Sequence, residues 1–116
     1  MTESLFLVFS NPVEGQEARY HEWYDKHVED LSRIPGFASA RRFEIDGRRS
    51  ESPGGNWRFL TLYELEGDVG QALSNLREAA NSGLVERPDK TCVAEDIYSQ
   101  IFSSIRERIV DGRAQP

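Results

Sequence analysis

Hydrophobic and polar positions in the first third of the chain follow two periodicities. Residues 5–10 (LFLVFS) form a continuous apolar run that stops before Pro12, as expected for a strand covered on both faces. After Gly15, apolar and aromatic residues recur every three or four positions, which predicts an amphipathic helix that ends at Pro35. The residues on the apolar face of this helix are Tyr20, Trp23, Tyr24, His27, Leu31 and Ile34.

The middle of the chain shows the two-residue alternation of half-buried strands. Residues 37–45 and 57–65 alternate in this way, and the polar, turn-rich residues 47–56 (GRRSESPGGN) connect them. Because this connection contains no candidate crossover helix, the two strands are predicted to pair as an antiparallel hairpin with a flexible loop. The alternation places Phe37, Ser39, Arg41, Phe43 and Ile45 on one face of the first strand, and Trp57, Phe59, Thr61, Tyr63 and Leu65 on one face of the second.

A second helix and a last strand complete the pattern. Asp68 is a suitable N-cap, Gln71 stands where a capping-box partner would, and residues 81–83 (NSG) end the helix. Strand periodicity returns from about Val93 to Ile105. The buried stripe of the second helix is predicted to be Val69, Ala72, Leu73, Leu76 and Ala80.

The elements follow the order βαββαβ. This order predicts one α+β domain over residues 3–105 with a ferredoxin-like antiparallel sheet, followed by a polar, fraying tail at residues 106–116. Both helices would cover the same face of that sheet. Because an exposed apolar patch normally marks a partner, we expect a second copy to pack against the other face as a homodimer. The apolar residues predicted on that face are Leu5, Leu7, Phe9, Leu60, Leu62, Tyr98 and Phe102.

Composition narrows the class of protein. A chain of 116 residues with 38% hydrophobic and 29% charged residues suits one soluble folded domain. The net charge of −6 argues against nucleic-acid binding, which needs basic residues clustered on one face. No apolar run is long enough for a membrane span, and residues 5–9 are too short for a secretory signal, so we expect a cytoplasmic protein. The single cysteine, Cys92, excludes an internal disulfide.

The first half of the chain resembles the dimeric α/β-barrel superfamily, and within it the EthD-like branch. The resemblance rests on the strand at 5–9 (LFLVF), the aromatic-x-x-His pattern at 23–27 and the segment IPGF at 34–37. It implies a homodimer with pockets between sheet and helices, and chemistry usually done without a bound metal: dehydration, isomerisation, cyclisation or cofactor-free oxidation. Some relatives bind haem. The His-x-Pro-Leu pattern frequent in EthD-like proteins is replaced here by HVEDL at 27–31.

His27 is the main candidate for chemistry. It shares the inward face of the first helix with aromatic residues, so its ring is expected to point at the sheet rather than at water. An imidazole there can take or give a proton near neutral pH, as enolisation, dehydration and isomerisation require. The structural alternative is a core histidine whose ring nitrogens are satisfied by hydrogen bonds.

Other side chains could support His27. Alternation assigns Arg41 to the helix side of its strand, where it could hold a carboxylate or a developing enolate, or form an ordinary salt bridge to Glu17 or Asp25. Tyr24 could donate a proton as a third catalytic residue, although aromatic stripes at helical spacing are also ordinary packing. Asp25 is considered as a partner that orients His27. The residues predicted to contact a substrate are Tyr20, Trp23, Trp57, Tyr63 and Tyr98.

No cofactor or metal is expected, since His21 and His27 lie on different faces of a helix and no ligand-set or phosphate-loop motif occurs. Three functions remain open. The first is a cofactor-independent lyase, dehydratase or isomerase that uses His27 as general acid/base on a small aromatic or cyclic ketone-type substrate. The second is a cofactor-free or haem-dependent monooxygenase. The third is a non-catalytic protein that binds a small molecule.

Overall fold

Four antiparallel strands and two helices follow one another in the predicted βαββαβ order. The computed structural model describes residues 3–50 and 56–116. The strand order in the sheet is β2-β3-β1-β4, so the ferredoxin-like prediction is confirmed. Part of the predicted loop, residues 51–55, lies outside the described residues. The bounds are Ser4–Ser10 (β1), Glu17–Leu31 (α1), Phe37–Glu44 (β2), Phe59–Leu65 (β3), Val69–Asn81 (α2) and Tyr98–Ser103 (β4).

The central strand β1 sets the two faces of the sheet. Phe6 lies opposite both Tyr63 of β3 and Ile101 of β4, and with Val8 it packs toward the helices. Leu7 and its neighbours on the adjacent strands face the other way, because side chains alternate along a strand. We call this second side the outer face; it carries the predicted apolar residues Leu5, Leu7, Phe9, Leu60, Leu62, Tyr98 and Phe102. Tyr98 and Phe102 are 46% and 48% exposed.

The helices pack on the inner face through a close approach at Gly36. Its φ of +99° favours glycine, and a Cβ there would lie only 2.6 Å from the Cβ of Ala72 in α2. The N-cap prediction for α2 is confirmed, because the N–H of Gln71 donates to Oδ1 of Asp68 over 3.1 Å. The side chain of Gln71 donates to Asn75 instead of completing a capping box.

A β-bulge in β2 overturns the predicted alternation of residues 39–45. Phe37 lies opposite Leu65, yet Ser39 lies opposite the next residue, Glu64, so β2 has one extra residue at this point. Beyond a one-residue shift, every side chain changes face. Arg42 therefore occupies the inner face and Arg41 the outer face, the reverse of the prediction.

The C-terminal residues form a hairpin rather than the predicted fraying tail. β5 (Arg108–Val110) pairs antiparallel with β6 (Arg113–Gln115). Asp111 and Gly112 both have positive φ, at 51° and 75°, as a two-residue type I′ turn requires. The hairpin is largely exposed, and Ile105, which leads into it, is 98% exposed.

Candidate functional site

A cavity of roughly 450 Å³ lies between the two helices and the inner face of the sheet, within the range of small-molecule sites. Its floor is formed by Phe6, Val8 and Ser99. Strand β3 contributes Tyr63. Helix α1 contributes Trp23, Tyr24, His27 and Leu31; α2 contributes Leu73, Leu76, Arg77 and Ala80; and the segment after α2 contributes 85–88 and Ile97. We call this space the His27 cavity.

The imidazole of His27 is fixed by the aromatic residues around it. Its ring stacks on Trp23 with centroids 4.4 Å apart and planes 20° apart, and it meets the ring of Tyr24 edge-on at 5.8 Å. Trp23 comes four residues earlier on the helix, the spacing that brings two side chains onto the same face. His27 also lines the cavity, so its side chain has the inward orientation that the helical periodicity predicts.

Burial keeps His27 uncharged. Desolvation lowers its pKa from 6.5 to about 4, outweighing the Asp30 carboxylate, which raises the pKa; Lys26 lowers it slightly further. Nδ1 is buried and has no hydrogen-bond partner among the described residues. A buried polar atom left unpaired is unfavourable, by about 1–3 kcal/mol. The ring is thus uncharged, one of its nitrogens is enclosed and unpaired among the described residues, and the residue lines an apolar cavity.

Two tyrosines line the His27 cavity as protonated phenols. Burial raises the pKa of both Tyr24 and Tyr63, so each hydroxyl remains a donor at neutral pH. Tyr20 has a different place, because it does not line the cavity; its hydroxyl lies 2.6 Å from Oγ of Ser10. Burial raises the pKa of Tyr20 to about 12, and its role is in the core.

The predicted alternation placed Arg42 on the outer face, but its side chain lies on the inner face beside Tyr20 and Tyr24. Its guanidinium lies 2.9 Å from Oδ1 of Asp25 and 2.9 Å from Nδ1 of His21. It also lies over the rings of Tyr20 and Tyr24, at 5.6 and 5.3 Å. Asp25 therefore binds an arginine and does not orient His27, so that interpretation is wrong. No signal in one sequence reveals the bulge that brings Arg42 to this face.

Three of the predicted site residues lie on the outer face. Trp57 stacks on Tyr98 with centroids 6.3 Å apart, and Arg41 lies over the ring of Phe43 at 5.0 Å. The alternation predicted Trp57 on the same face as Phe59. This prediction failed because Trp57 lies before β3, which begins at Phe59. None of the three contributes to the His27 cavity.

The mouth of the cavity carries charged residues that sequence reasoning missed: Arg77, Glu86 and Arg87. Arg77 follows Leu76 on the edge of the apolar stripe of α2, which was the only signal for it. Glu86 and Arg87 belong to an irregular segment without periodicity, so no sequence pattern predicted their position.

A larger depression, of roughly 590 Å³, lies between the end of α1 and α2. Its lining includes Ile34, Asn75, Glu78 and Leu84 but neither histidine nor any aromatic ring. Its one carboxylate from α1, Asp30, already pairs with Lys26 and Arg33. We favour the smaller His27 cavity as the functional site because it contains a histidine with a perturbed pKa.

Within residues 3–50 and 56–116, no three histidine, cysteine, aspartate or glutamate side chains are grouped as a metal site would require. Neither described helix is long and apolar enough to cross a bilayer.

Comparison with known proteins finds solved structures that have a similar backbone fold. No protein-family model matches the chain, and no curated protein matches its sequence. A candidate monooxygenase from Shewanella loihica PV-4 superposes with a TM-score of 0.58 at 15% identity, covering 91% of this chain and 98% of that one. A dimeric ferredoxin-like protein from Jannaschia sp. CCS1 gives 0.58 at 18% identity, covering 86% and 97%.

An EthD family protein from Bacillus halodurans C-125 gives a TM-score of 0.55 at 15% identity, covering 90% of this chain and all (100%) of that one. All three structures match most of this chain, so the similarity covers the whole ferredoxin-like architecture rather than its first half alone. At these identities the likeness concerns the backbone, so it shows that this chain has the ferredoxin-like fold of those dimeric and EthD family proteins.

Proposed function

We propose that the chain is a cofactor-independent enzyme of the lyase, dehydratase or isomerase type, with His27 as its proton-transfer group. The observation that carries the proposal is a neutral imidazole in the lining of an apolar cavity, whose buried Nδ1 has no hydrogen-bond partner within residues 3–50 and 56–116. A packing histidine would have both ring nitrogens satisfied or exposed. The substrate is a small aromatic or cyclic ketone-type molecule of one or two rings, which matches the cavity volume.

The proposed chemistry begins with enolisation. The apolar body of the substrate packs between Trp23 and the aliphatic side chains of α2, with the C–H next to its carbonyl directed at His27. The neutral imidazole takes that proton, and the electron pair moves onto the carbonyl oxygen as an enolate. The hydroxyl of Tyr24 or Tyr63 donates a hydrogen bond to that oxygen. Return of the proton to another carbon isomerises the substrate, and loss of a β-hydroxyl as water dehydrates it.

Proton exchange tests this function without knowledge of the natural substrate. Cyclic ketones and aryl ketones are incubated with the protein in D₂O, and deuterium at the α-carbon is followed by NMR. We expect exchange with the wild type and a rate about 10²–10⁴-fold lower with His27→Gln. Exchange that His27→Gln leaves unchanged would remove His27 from the mechanism. Saturable binding without exchange would favour the non-catalytic binding protein.

Similarity to the candidate monooxygenase from Shewanella loihica favours a second function, cofactor-free oxygenation. The first step would be the same, since a deprotonated phenol or enol is the electron-rich form that reacts with O₂. The haem-dependent form fits poorly, because a cavity of roughly 450 Å³ suits one or two rings rather than a planar macrocycle of four pyrroles. Oxygen consumption with phenols, measured by an oxygen electrode, distinguishes this function from isomerisation.

We also propose that the protein works as a homodimer with the outer faces of two sheets in contact. The outer face has apolar residues in all four strands, among them Leu62, Phe43 and Phe102, and one protomer alone leaves them uncovered. The solved structure from Jannaschia, with the same fold, is a dimer. The exposed apolar residues around the C-terminal hairpin, Ile105 and Ile109, offer further area to the second copy.

A further inference from the structure

Two arginines lie at the same end of the His27 cavity. Arg77 and Arg87 both line it. Asn81 comes one helical turn after Arg77 on the same face of α2, and it accepts a 2.7 Å hydrogen bond from Nη2 of Arg87. The bond therefore ties Arg87 to the side of α2 that presents Arg77. A protein with net charge −6 thus has two arginines on the α2 side of the His27 cavity.

Neither arginine forms a salt bridge with a carboxylate of the described residues. Within the described residues, Arg77 makes no ion pair or hydrogen bond, and the side chain of Arg87 bonds only to the neutral amide of Asn81. Glu86 is the one carboxylate in the lining, and Lys26 lies 4.0 Å from it. Of the twelve other arginines and lysines in the described chain, six form salt bridges with aspartate or glutamate.

The rest of the cavity wall has the opposite character. Phe6, Val8, Leu73, Leu76 and Ile97 supply apolar surface, and His27 is neutral. An apolar chamber with cationic groups at one end matches a ligand with a hydrophobic ring system and one anionic group. Guanidinium binds carboxylates particularly well, because its planar N–H fork fits the two oxygens.

We infer that the His27 cavity selects a ring-containing carboxylate, with Arg77 and Arg87 binding the carboxylate and the apolar wall binding the ring. This inference rests on the proposed function, because it names the substrate class of the same site. The carboxylate would anchor one end of the substrate and so hold the opposite end at a fixed distance from His27. Both arginines act here as specificity-determining residues rather than as proton-transfer groups.

A pair of probes of equal shape and different charge tests the inference. Isothermal titration calorimetry with 2-naphthoate and with the neutral 2-naphthamide gives the two dissociation constants. We expect the carboxylate to bind at least about 10-fold more tightly, since a charge-assisted hydrogen bond contributes about 1.5–3 kcal/mol. Arg77→Gln and Arg87→Gln should each weaken naphthoate about 5- to 10-fold and leave naphthamide within about twofold.

The matched control is Arg48→Gln, which removes the same charge from the loop after β2, away from the cavity. It should leave both dissociation constants unchanged, and 1 M NaCl should weaken only the carboxylate. Equal affinities for the two probes, or equal effects of Arg48→Gln and Arg77→Gln, would overturn the inference while leaving the cavity as a binding site. Binding of neither probe at millimolar concentration would count against both the inference and the proposed function.

Discussion

Trp23 covers one face of the His27 ring, with the two rings nearly parallel and their centroids 4.4 Å apart. The indole thus excludes water from the imidazole that the proposed chemistry uses as a base. Desolvation is the largest cause of the low pKa of His27, so Trp23 is a principal source of that shift.

Removing Trp23 is expected to raise the pKa of His27. In the wild type, kcat/KM for ketone exchange should rise with pH through about 4 and then stay level, because His27 acts in its neutral form. In Trp23→Ala the midpoint of that rise should move toward 6.5, the ordinary value for histidine. Trp57→Ala, which removes the tryptophan on the outer face, should leave the midpoint where it is. Identical midpoints in the wild type and Trp23→Ala would show that the indole does not shield the base.

Stability should fall in acid because of His27. Its folded-state pKa of about 4 is below the unfolded value of 6.5, so between these pH values the unfolded chain binds a proton that the folded chain does not. The free energy of unfolding should therefore decrease from pH 6.5 to pH 4, by at most about 3 kcal/mol from this residue. Urea unfolding of the wild type and of His27→Gln at both pH values isolates the contribution. Parallel pH dependences for the two proteins would contradict it.

The two adjacent arginines of β2 should differ sharply in their effect on stability. Arg42 is 17% exposed in its side chain, pairs with Asp25 and His21, and lies over two tyrosine rings. Arg42→Met should lower the free energy of unfolding by about 1–3 kcal/mol, through lost hydrogen bonds and cation–π contacts. Arg41→Met, on the outer face, should change it by less than about 0.5 kcal/mol in the monomer. Urea denaturation checks both, and the reverse order would contradict the assignment of Arg42 to the inner face and Arg41 to the outer face.

A charge on the outer face should separate the proposed dimer. Leu62→Glu introduces a carboxylate in the middle of that face, between Leu7 and Arg41. We expect sedimentation velocity at micromolar concentration to show a dimer for the wild type and a monomer for Leu62→Glu, because a charge in an apolar interface is strongly unfavourable. Leu84→Glu makes the same change at an exposed loop position outside the sheet and should remain dimeric. A monomeric wild type would rule out the sheet-to-sheet dimer.

Periodicity predicted the architecture because the burial of each element is regular over many residues. The apolar positions from Tyr20 to Leu31 recur at helical spacing, and those around Tyr63 alternate as in a strand. Each pattern therefore predicted its element correctly. Asp68 predicted the start of α2, because its capping hydrogen bond to Gln71 forms within the first turn of the helix and does not depend on distant segments. The C-terminal hairpin was missed, although Asp111-Gly112 is a favoured type I′ pair.

The parts that failed depend on irregular backbone or on distant segments. One extra residue near Ala38 puts Arg42, instead of Arg41, on the inner face of the sheet. The alternation of polar and apolar residues does not reveal such a bulge. Glu86 and Arg87 reach the His27 cavity from a segment with neither helix nor strand geometry, so only the folded chain brings them to it. The orientation of His27 was predictable, whereas the charge at the cavity mouth was not.

The most direct test of the central claim is an NMR titration of the two histidines, with His27 assigned from the spectrum of His27→Gln. The account predicts that the carbon-bound ring protons of His27 titrate with a midpoint near 4, because the folded protein holds this imidazole in a sheltered, apolar cavity. A midpoint near 6.5 would mean that water reaches the ring freely, and it would contradict the neutral, buried base on which the proposed chemistry depends.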